Sequence, residues 1–194
     1  MKKINLGRTR LLLVDPNPDS LELTSGMLAM TGAQSVRKLT TTTQAIEALR
    51  QGPFDIVITE ETTAPLNGLE FTAYLRTSEM SPNRRIPILL MAAHADSAYV
   101  ARARDHGVTE FLVKPLSIDR LLHRLTVMVA RPRPFIDSES YFGPDRRRRD
   151  GIVYSGTERR RSENRSAEEI SPGKTRRRPH DHPALHELTA RLSS

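Results

Sequence analysis

The sequence contains no cysteine and no tryptophan, and it has no apolar run long enough to cross a bilayer. The absence of cysteine excludes disulfide bonds and thiolate metal ligands. The longest apolar run, ILLMAA at residues 88–93, is far shorter than the roughly 20 residues that a membrane-spanning helix needs. No apolar segment follows the lysines near the start of the chain, so no secretory signal is predicted there. These absences favour a cytoplasmic protein with no membrane contact.

The last third of the chain has few large apolar residues. From residue 132 onward it carries 14 Lys+Arg and 10 Asp+Glu, and it has little that could form a core. Such a composition is typical of disorder. The two prolines of RPRP, residues 131–134, are expected to end the preceding helix. We therefore predict a domain over residues 9–131 and a basic, largely disordered tail over 132–194, with a short amphipathic helix at 183–192.

Short apolar runs alternate with helical patterns in the first two thirds of the chain. The strands are continuously apolar, as in FDIVIT at residues 54–59, which is typical of strands buried on both faces. Helices between such strands predict a parallel, doubly wound α/β sheet. The predicted strands span residues 10–15, 34–39, 54–59, 86–92 and 110–113, and the predicted helices span 20–32, 42–52, 69–80, 97–107 and 117–130.

Charged side chains stand where several of these strands end. Asp15 ends the first strand, and Glu60 and Glu61 follow the third. Ala92 ends the fourth strand and Lys114 follows the fifth. Ligands of doubly wound folds bind at the carboxyl ends of the strands. The sequence therefore predicts that acids and one lysine meet at one edge of the sheet.

The order and spacing of these motifs resemble the receiver domain of bacterial two-component response regulators, the CheY-like fold. LLLVDPNPDSLEL, FDIVITEETTAPLNGLEF, IPILLMAAHAD and HGVTEFLVKP are similar to the regions around the family's first, third, fourth and fifth strands. Gly68 follows Glu60 by eight residues, as the family glycine follows its phosphate-accepting aspartate. The resemblance implies a five-stranded parallel sheet of order 2-1-3-4-5 and a signalling domain that is phosphorylated with the help of Mg2+.

Three positions depart from the family's pattern at the expected site. Pro16 stands where a second acid binds Mg2+, Glu60 replaces the phosphate-accepting aspartate, and Ala92 replaces a hydroxyl that holds a phosphoryl oxygen. Proline offers no side-chain oxygen to a hard cation. The extra methylene of glutamate displaces a nucleophile whose position controls the rate. We therefore predict a degenerate receiver, or pseudo-receiver, that is not phosphorylated.

The residue types that are kept indicate what Glu60 does instead. Asp15, Lys114 and Phe111, which stands at the family's aromatic position, match the expected types. We expect Glu60 to be a fixed negative charge that reaches Lys114 where an aspartyl phosphate would. The alternatives are that Asp15, Glu60 and Glu61 are solvated acids at a strand edge, or that Glu61 takes the place of Glu60. No enzymatic activity, catalytic residue, dedicated metal site or required cofactor is predicted, beyond weak Mg2+ binding at Asp15 and Glu60.

The predicted tail repeats a short motif. YFGPDRRRR at residues 141–149 recurs as YSGTERRR at 154–161, and GKTRRR at 173–178 is a shorter third copy. Such clusters could bind an acidic protein surface, bind nucleic acid through phosphates and base stacking, or act as a solubilising appendage. The candidate binding residues are Tyr141, Arg146, Arg147, Arg148, Arg149, Tyr154, Arg159, Arg160, Arg161, Arg176, Arg177 and Arg178.

The sequence thus predicts a two-component signalling protein in which a pseudo-receiver acts as a protein-interaction module and the tail binds a protein partner. Homodimerisation through the receiver and nucleic-acid binding by the tail are further expectations. Two alternatives stay open: a receiver that is phosphorylated with an unusual acceptor geometry, and a nucleic-acid-binding regulator whose receiver is only a scaffold or dimerisation module.

Overall fold

The computed structural model describes residues 6–138 and 140–146. Among these residues, no helix combines the length and the apolar character needed to span a bilayer. A 3-10 turn at Leu6–Arg8 precedes the first strand. The following elements are β1 (Arg10–Val14), α1 (Pro18–Met30), β2 (Ser35–Leu39), α2 (Thr42–Gln51), β3 (Ile56–Glu60), α3 (Gly68–Thr77), β4 (Ile88–Ala92), α4 (Ser97–Asp105), β5 (Glu110–Val113), α5 (Ile118–Ala130), β6 (Phe135–Ser138) and β7 (Tyr141–Pro144).

The first five strands form one parallel sheet of order β2-β1-β3-β4-β5, which confirms the predicted fold. β3 and β4 are buried along their whole length. Leu11 and Leu13 of β1 pack in the layer of α1 and α5, whereas Leu12 and Val14 pack in the layer of α2 and α3. Helices thus cover both faces of the sheet, which explains why its central strands β1, β3 and β4 are mainly apolar.

Polar caps start the helices close to the ends of the strands. The Asn17 side chain accepts hydrogen bonds from the backbone N–H groups of Asp19 and Ser20 at the start of α1. Asn67 and Glu70 form a reciprocal capping box at the start of α3. A cap of this kind stabilises a helix by about 1 kcal/mol. These caps fix the first turns of α1 and α3 beside the sheet edge that carries the acids.

The start of α3 lies so close to the end of β3 that only glycine fits there. A Cβ atom on Gly68 would lie 2.7 Å from the carbonyl oxygen of Glu60 and 2.5 Å from Cδ1 of Leu90. The Gly68 N–H donates to the carbonyl oxygen of Glu61 at 3.0 Å. The loop between β3 and α3 is therefore closed tightly, and it holds Glu60 and Glu61 at the edge of the sheet.

β6 and β7 pair as an antiparallel hairpin, although they belong to the segment predicted as a disordered tail. The Phe135 and Phe142 rings lie 5.6 Å apart. The Arg84 guanidinium lies 4.2 Å from the Phe142 ring, and that of Arg76 lies 5.2 Å from the Phe135 ring. α5 ends before the two prolines, as predicted. The boundary predicted at the RPRP segment is nevertheless wrong for the hairpin, because its phenylalanines pack against arginines of the sheet domain.

Candidate functional site

The ends of β1, β3, β4 and β5 meet at one edge of the sheet. Asp15 directly follows β1, and Glu60 is the last residue of β3. Ala92 ends β4, and Lys114 directly follows β5. Asp15 and Glu60 are almost fully buried, with 1% and 5% of their surfaces exposed. This burial does not fit the alternative in which these two acids are simply solvated.

The Lys114 ammonium bridges two carboxylates at this edge. Its Nζ lies 3.4 Å from Oδ2 of Asp15 and 3.5 Å from Oε1 of Glu60. The structure therefore brings together Glu60 and Lys114, as the sequence predicted, and adds Asp15 as a second partner of the ammonium. Because the carboxylates are buried, their interaction with Lys114 is less screened by solvent than a surface ion pair would be.

The Asp15 carboxylate is also held by the first turn of α1. Oδ1 accepts a hydrogen bond from the Asn17 backbone N–H at 2.9 Å, and Oδ2 accepts one from the Ser20 hydroxyl at 2.6 Å. Ser20 Oγ lies 3.4 Å from Lys114 Nζ as well. Ser20 was not among the predicted site residues. Its spacing of five residues from Asp15 is an ordinary feature, so only the tertiary structure identifies it.

The second oxygen of Glu60 is occupied by the loop that follows β3. Oε2 accepts hydrogen bonds from both the backbone N–H and the hydroxyl of Thr62. Thr62 was also not among the predicted site residues. A threonine two residues after an acid is a usable signal, since such residues form local side-chain to backbone turns. Glu60 therefore turns one oxygen toward Lys114 and the other toward its own loop.

Glu61 points to a different set of donors. Its Oε1 accepts a hydrogen bond from the Ala93 backbone N–H at 2.7 Å. Burial raises the pKa of the Tyr99 hydroxyl above its ordinary value, and the charge of Glu61 and a hydrogen bond to it raise that pKa further. Glu61 does not replace Glu60. Glu61 contacts Ala93 after β4 and Tyr99 of α4, whereas Glu60 contacts Lys114 and the loop after β3.

The remaining predicted site residues are Pro16, Ala92 and Phe111. Pro16 is exposed, and Ala92 is fully buried at the end of β4. Phe111 is half-buried and makes an edge-to-face contact with Tyr99, with ring centroids 5.8 Å apart. Neither Pro16 nor Ala92 adds a polar side chain to the site. The polar groups of the site are therefore those of Asp15, Ser20, Glu60, Glu61, Thr62 and Lys114.

Comparison with known proteins connects this geometry to a family. A profile described as the response regulator receiver domain matches residues 11–126 of the chain. The chain belongs to this family. Receiver domains of this family act in two-component signalling, and the five-stranded CheY-like sheet observed here is their fold.

Individual relatives of this receiver are distant. The transcriptional regulatory protein ZraR of Klebsiella oxytoca is 31% identical over 90 residues, which are 46% of this chain and 19% of ZraR. The chain thus spans about a fifth of the length of that relative. The solved receiver domain of the Francisella response regulator 1452 aligns with a TM-score of 0.58 at 18% identity, over 64% of this chain and 98% of that domain. This likeness shows the shared fold.

A second similar structure contains a metal. The receiver domain of the sensor histidine kinase PA1611 of Pseudomonas aeruginosa PAO1 was solved with a magnesium ion coordinated in its active-site cleft. It aligns with a TM-score of 0.56 at 24% identity, over 63% of this chain and 98% of that domain. The corresponding cleft of the present receiver can therefore be tested for its fit to Mg2+.

The residues of this receiver do not fit a tight Mg2+ site. Mg2+ requires near-octahedral oxygen ligands at about 2.0–2.1 Å. Both oxygens of Asp15 already accept hydrogen bonds, and Pro16 supplies no side-chain ligand. The Lys114 ammonium lies between the carboxylates of Asp15 and Glu60. Within residues 6–138 and 140–146, no group of three or more His, Asp or Glu residues could hold a metal ion.

Only two of the predicted tail-binding residues lie in the described part of the chain, and both contact the receiver. The Tyr141 hydroxyl donates to the carbonyl oxygen of Pro144 at 2.7 Å and lies 3.5 Å from the carbonyl oxygen of Arg104 in α4. The Arg146 guanidinium lies 3.9 Å from the Tyr141 ring, and its Nη1 lies 3.3 Å from Oδ1 of Asp105 in α4. Tyr141 and Arg146 are thus part of the folded domain rather than of a free tail. The other ten, from Arg147 to Arg178, and the predicted helix at 183–192 lie outside the described residues.

Proposed function

We propose that this receiver is a pseudo-receiver whose site is permanently filled by its own carboxylates. It acts as a protein-interaction module in two-component signalling and does not use the phosphorylation switch. The observation that carries the proposal is the Lys114 ammonium held between Asp15 and Glu60, at 3.4 and 3.5 Å. In this role Glu60 supplies a fixed negative charge at the place where an aspartyl phosphate would form.

The hydrogen-bond donors around the site support this proposal. A phosphoryl group carries several negative oxygens, and stabilising it requires cations and N–H donors. Lys114 and the Thr62 N–H are engaged by Glu60, and the Ala93 N–H is engaged by Glu61. An incoming phosphoryl group would have to displace both carboxylates and would be repelled by them. Mg2+ has to compete with Lys114 for the carboxylates of Asp15 and Glu60, so it binds only weakly there.

Phosphorylation chemistry in solution tests the proposal against its main alternative, a receiver with an unusual acceptor. Full-length protein is incubated with acetyl phosphate and Mg2+, and its intact mass is measured. We expect no phosphorylated species, while a catalytically intact receiver treated in parallel becomes modified. A species heavier by one phosphoryl group that disappears in Glu60→Gln would refute the pseudo-receiver.

We propose further that the arginine-rich segment binds an acidic protein partner. The observation that favours this choice is the first motif copy, in which Arg146 stacks on Tyr141 and contacts the Asp105 carboxylate. In that copy the motif presents an arginine to a protein carboxylate. Nucleic-acid binding by the later arginine clusters and a homodimer formed through the receiver are the competing arrangements. A salt and nuclease experiment on the whole molecule separates protein partners from nucleic acid.

A further inference from the structure

An open cavity of about 870 Å³ lies between α4, β5 and α5; Phe111 lines it, whereas Asp15, Glu60 and Lys114 do not. Its apolar lining includes Val100 and Ala103 of α4, Val108, and Leu112 of β5. Small-molecule sites have volumes of about 300–1,000 Å³ and mostly apolar walls. The cavity is thus of the right size and character to hold a flat organic group.

The walls of the same cavity are strongly basic. Two carboxylates, those of Glu110 and Asp119, face a larger set of basic side chains. That set consists of Arg104, Arg120, Arg124, Arg133 and Arg146, together with His123. A concave surface lined by charges of one sign concentrates ligands of the opposite sign. The cavity therefore combines an apolar floor with a rim that favours anions.

Two of these arginines come from the hairpin segment that follows α5. Arg133, just before β6, donates through Nη2 to Oε1 of Glu110 at 2.8 Å. Arg146, just after β7, is held over the Tyr141 ring and beside Asp105. Both guanidinium groups are fixed by protein contacts before any ligand arrives, which lowers the entropic penalty of binding. The hairpin thus adds two ordered cations to the groove between α4 and α5.

The positive charge is only partly neutralised inside the cavity. Arg124 and Arg133 share one carboxylate, that of Glu110, at 3.0 and 2.8 Å. Arg104 and Arg120 are exposed, and within the described part of the chain their guanidinium groups make no ion pair. Free guanidinium groups bind phosphate oxygens in a bidentate geometry. The rim therefore has cations available for a phosphate group.

We propose that this cavity binds a nucleotide. The base would lie on the apolar floor near Val100 and Ala103, and the phosphates would contact Arg104 and Arg120 at the rim. A purely apolar ligand would leave the arginines unused, and inorganic phosphate would leave the apolar floor uncovered. A nucleotide matches both parts, since it joins a flat ring system to a chain of negative charges. The site is separate from Glu60, so the proposal does not depend on the pseudo-receiver.

Isothermal titration calorimetry of the full chain at constant ionic strength tests the ligand chemistry. The probes are ATP, GTP, AMP, adenosine and inorganic pyrophosphate. We expect a nucleoside triphosphate to bind at least about tenfold more tightly than AMP, adenosine or pyrophosphate, because each of these lacks part of the recognised chemistry. Pyrophosphate that binds as tightly as ATP would overturn the proposal, as would no binding by either triphosphate.

Substitutions test the location. Arg104→Ala and Arg120→Ala should each weaken ATP binding about tenfold, since a charged hydrogen bond is lost. Val100→Asp, at a position that is 41% exposed, should abolish binding by placing a negative charge on the floor. Arg50 is an exposed arginine in α2, so the Arg50→Ala variant is the matched control and should bind ATP as the wild type does.

Unchanged affinity for ATP in the Arg104→Ala/Arg120→Ala double variant would overturn the assignment. Tighter binding of a short oligothymidylate that is lost in the same variants would assign the surface to nucleic acid and overturn it too.

Discussion

At the scale of single residues, the two glutamates after β3 perform different tasks. Glu60 turns inward to Lys114 and to its own loop, whereas Glu61 accepts from Ala93 and faces Tyr99. Both tasks are satisfied by protein donors rather than by solvent. A buried carboxylate without such donors would cost several kcal/mol, so Glu60 depends on its partners, whereas Glu61 is only half-buried. We therefore make two predictions, one about the Glu60–Lys114 pair and one about the Tyr99 hydroxyl beside Glu61.

The first prediction concerns coupling between Glu60 and Lys114. Glu60→Gln removes one of the two carboxylates that contact Lys114, and Lys114→Met removes the ammonium that contacts Glu60. In Glu60→Gln the lysine keeps Asp15 as a partner, and its side chain is 27% exposed. We therefore expect a coupling energy of about 1–2 kcal/mol, below that of a fully buried pair. A double-mutant cycle by urea denaturation measures it.

The control for this cycle is the surface pair Arg10–Asp55, whose side chains are 45% and 40% exposed at 2.9 Å. Its coupling should be clearly smaller than that of Glu60 and Lys114, despite the shorter distance, because solvent screens it. Strictly additive effects of Glu60→Gln and Lys114→Met would mean that the lysine bridge does not contribute to stability.

The second prediction concerns the Tyr99 hydroxyl. Burial and Glu61 raise its pKa in the folded protein, whereas a tyrosine in the unfolded chain ionises near pH 10, at about its ordinary value. Above that pH the unfolded state binds fewer protons than the folded state, so the free energy of unfolding falls as pH rises. Tyr99→Phe removes this contribution. Urea unfolding at several pH values from neutral to strongly alkaline should show a smaller alkaline loss for the variant.

Glu61→Gln is the matched comparison for Tyr99. It removes the neighbouring charge but leaves the burial, so it should reduce the alkaline loss of stability less than Tyr99→Phe does. Equal pH dependence in the wild type and in Tyr99→Phe would show that the hydroxyl is not perturbed in the folded protein.

At the scale of elements, the contact between β3 and α3 determines the position of the site. Gly68→Ala would force a methyl group against the Glu60 carbonyl oxygen and Leu90, at distances of 2.7 and 2.5 Å. We expect a loss of about 1–3 kcal/mol, typical of overpacking. Gly26→Ala in α1 meets nothing within 4 Å and should instead stabilise the protein by about 0.5–1 kcal/mol. Thermal unfolding of both variants measures these opposite effects; a neutral Gly68→Ala would contradict the close approach.

The hairpin is a second element whose contacts can be tested separately. It covers Arg76, which is fully buried and whose Nη2 has no hydrogen-bond partner among the described residues. Burial lowers the pKa of Arg76 to about 9, so the group is still cationic at neutral pH. The Phe135 ring at 5.2 Å and the carbonyl oxygens of Gly107 and Arg84 are its partners. The hairpin therefore stabilises the buried Arg76 guanidinium, and the same contact stabilises the hairpin.

Phe142→Ala should release the hairpin while the sheet stays folded. The change removes the ring that Arg84 faces at 4.2 Å, a contact worth about 0.5–2 kcal/mol. Amide hydrogen exchange should become faster over residues 135–144 and stay unchanged in β3. Ile136→Ala, at a side chain that is 41% exposed, is the control and should keep the protection. Unchanged exchange in Phe142→Ala would mean that other contacts hold the hairpin.

At the scale of the whole molecule, the net charge of +7 raises the question of what the arginine clusters bind. If the partner is an acidic protein, its complex with the full chain should resist nuclease. Its salt dependence should be shallower than the slope of about −0.9 per phosphate contact that duplex DNA gives. Replacement of Arg159, Arg160 and Arg161 by alanine should then weaken capture of the partner. A nuclease-sensitive complex with a steep salt slope would assign the clusters to nucleic acid.

The sheet, the order of its elements and the sheet edge at which Asp15, Glu60 and Lys114 stand could be predicted from the sequence. Continuous apolar strands, capped helices and strand-end acids are local patterns, and local patterns can be read without coordinates. The departures at Pro16, Glu60 and Ala92 were visible for the same reason. Predicted strand and helix limits differ from the observed ones by up to three residues, as at α3, where fraying and caps decide the ends.

The donors that each acid binds, and the point at which the folded domain ends, depend on contacts between elements that are distant in the chain. Lys114 and Asp15 are 99 residues apart in the chain, and no sequence pattern says which oxygen of Glu60 the ammonium meets or that Ser20 and Thr62 complete the site. The hairpin was missed because its composition resembles a tail. Its phenylalanines contact Arg76 and Arg84, which lie more than 50 residues earlier in the chain and are brought to the hairpin by the fold of the sheet domain.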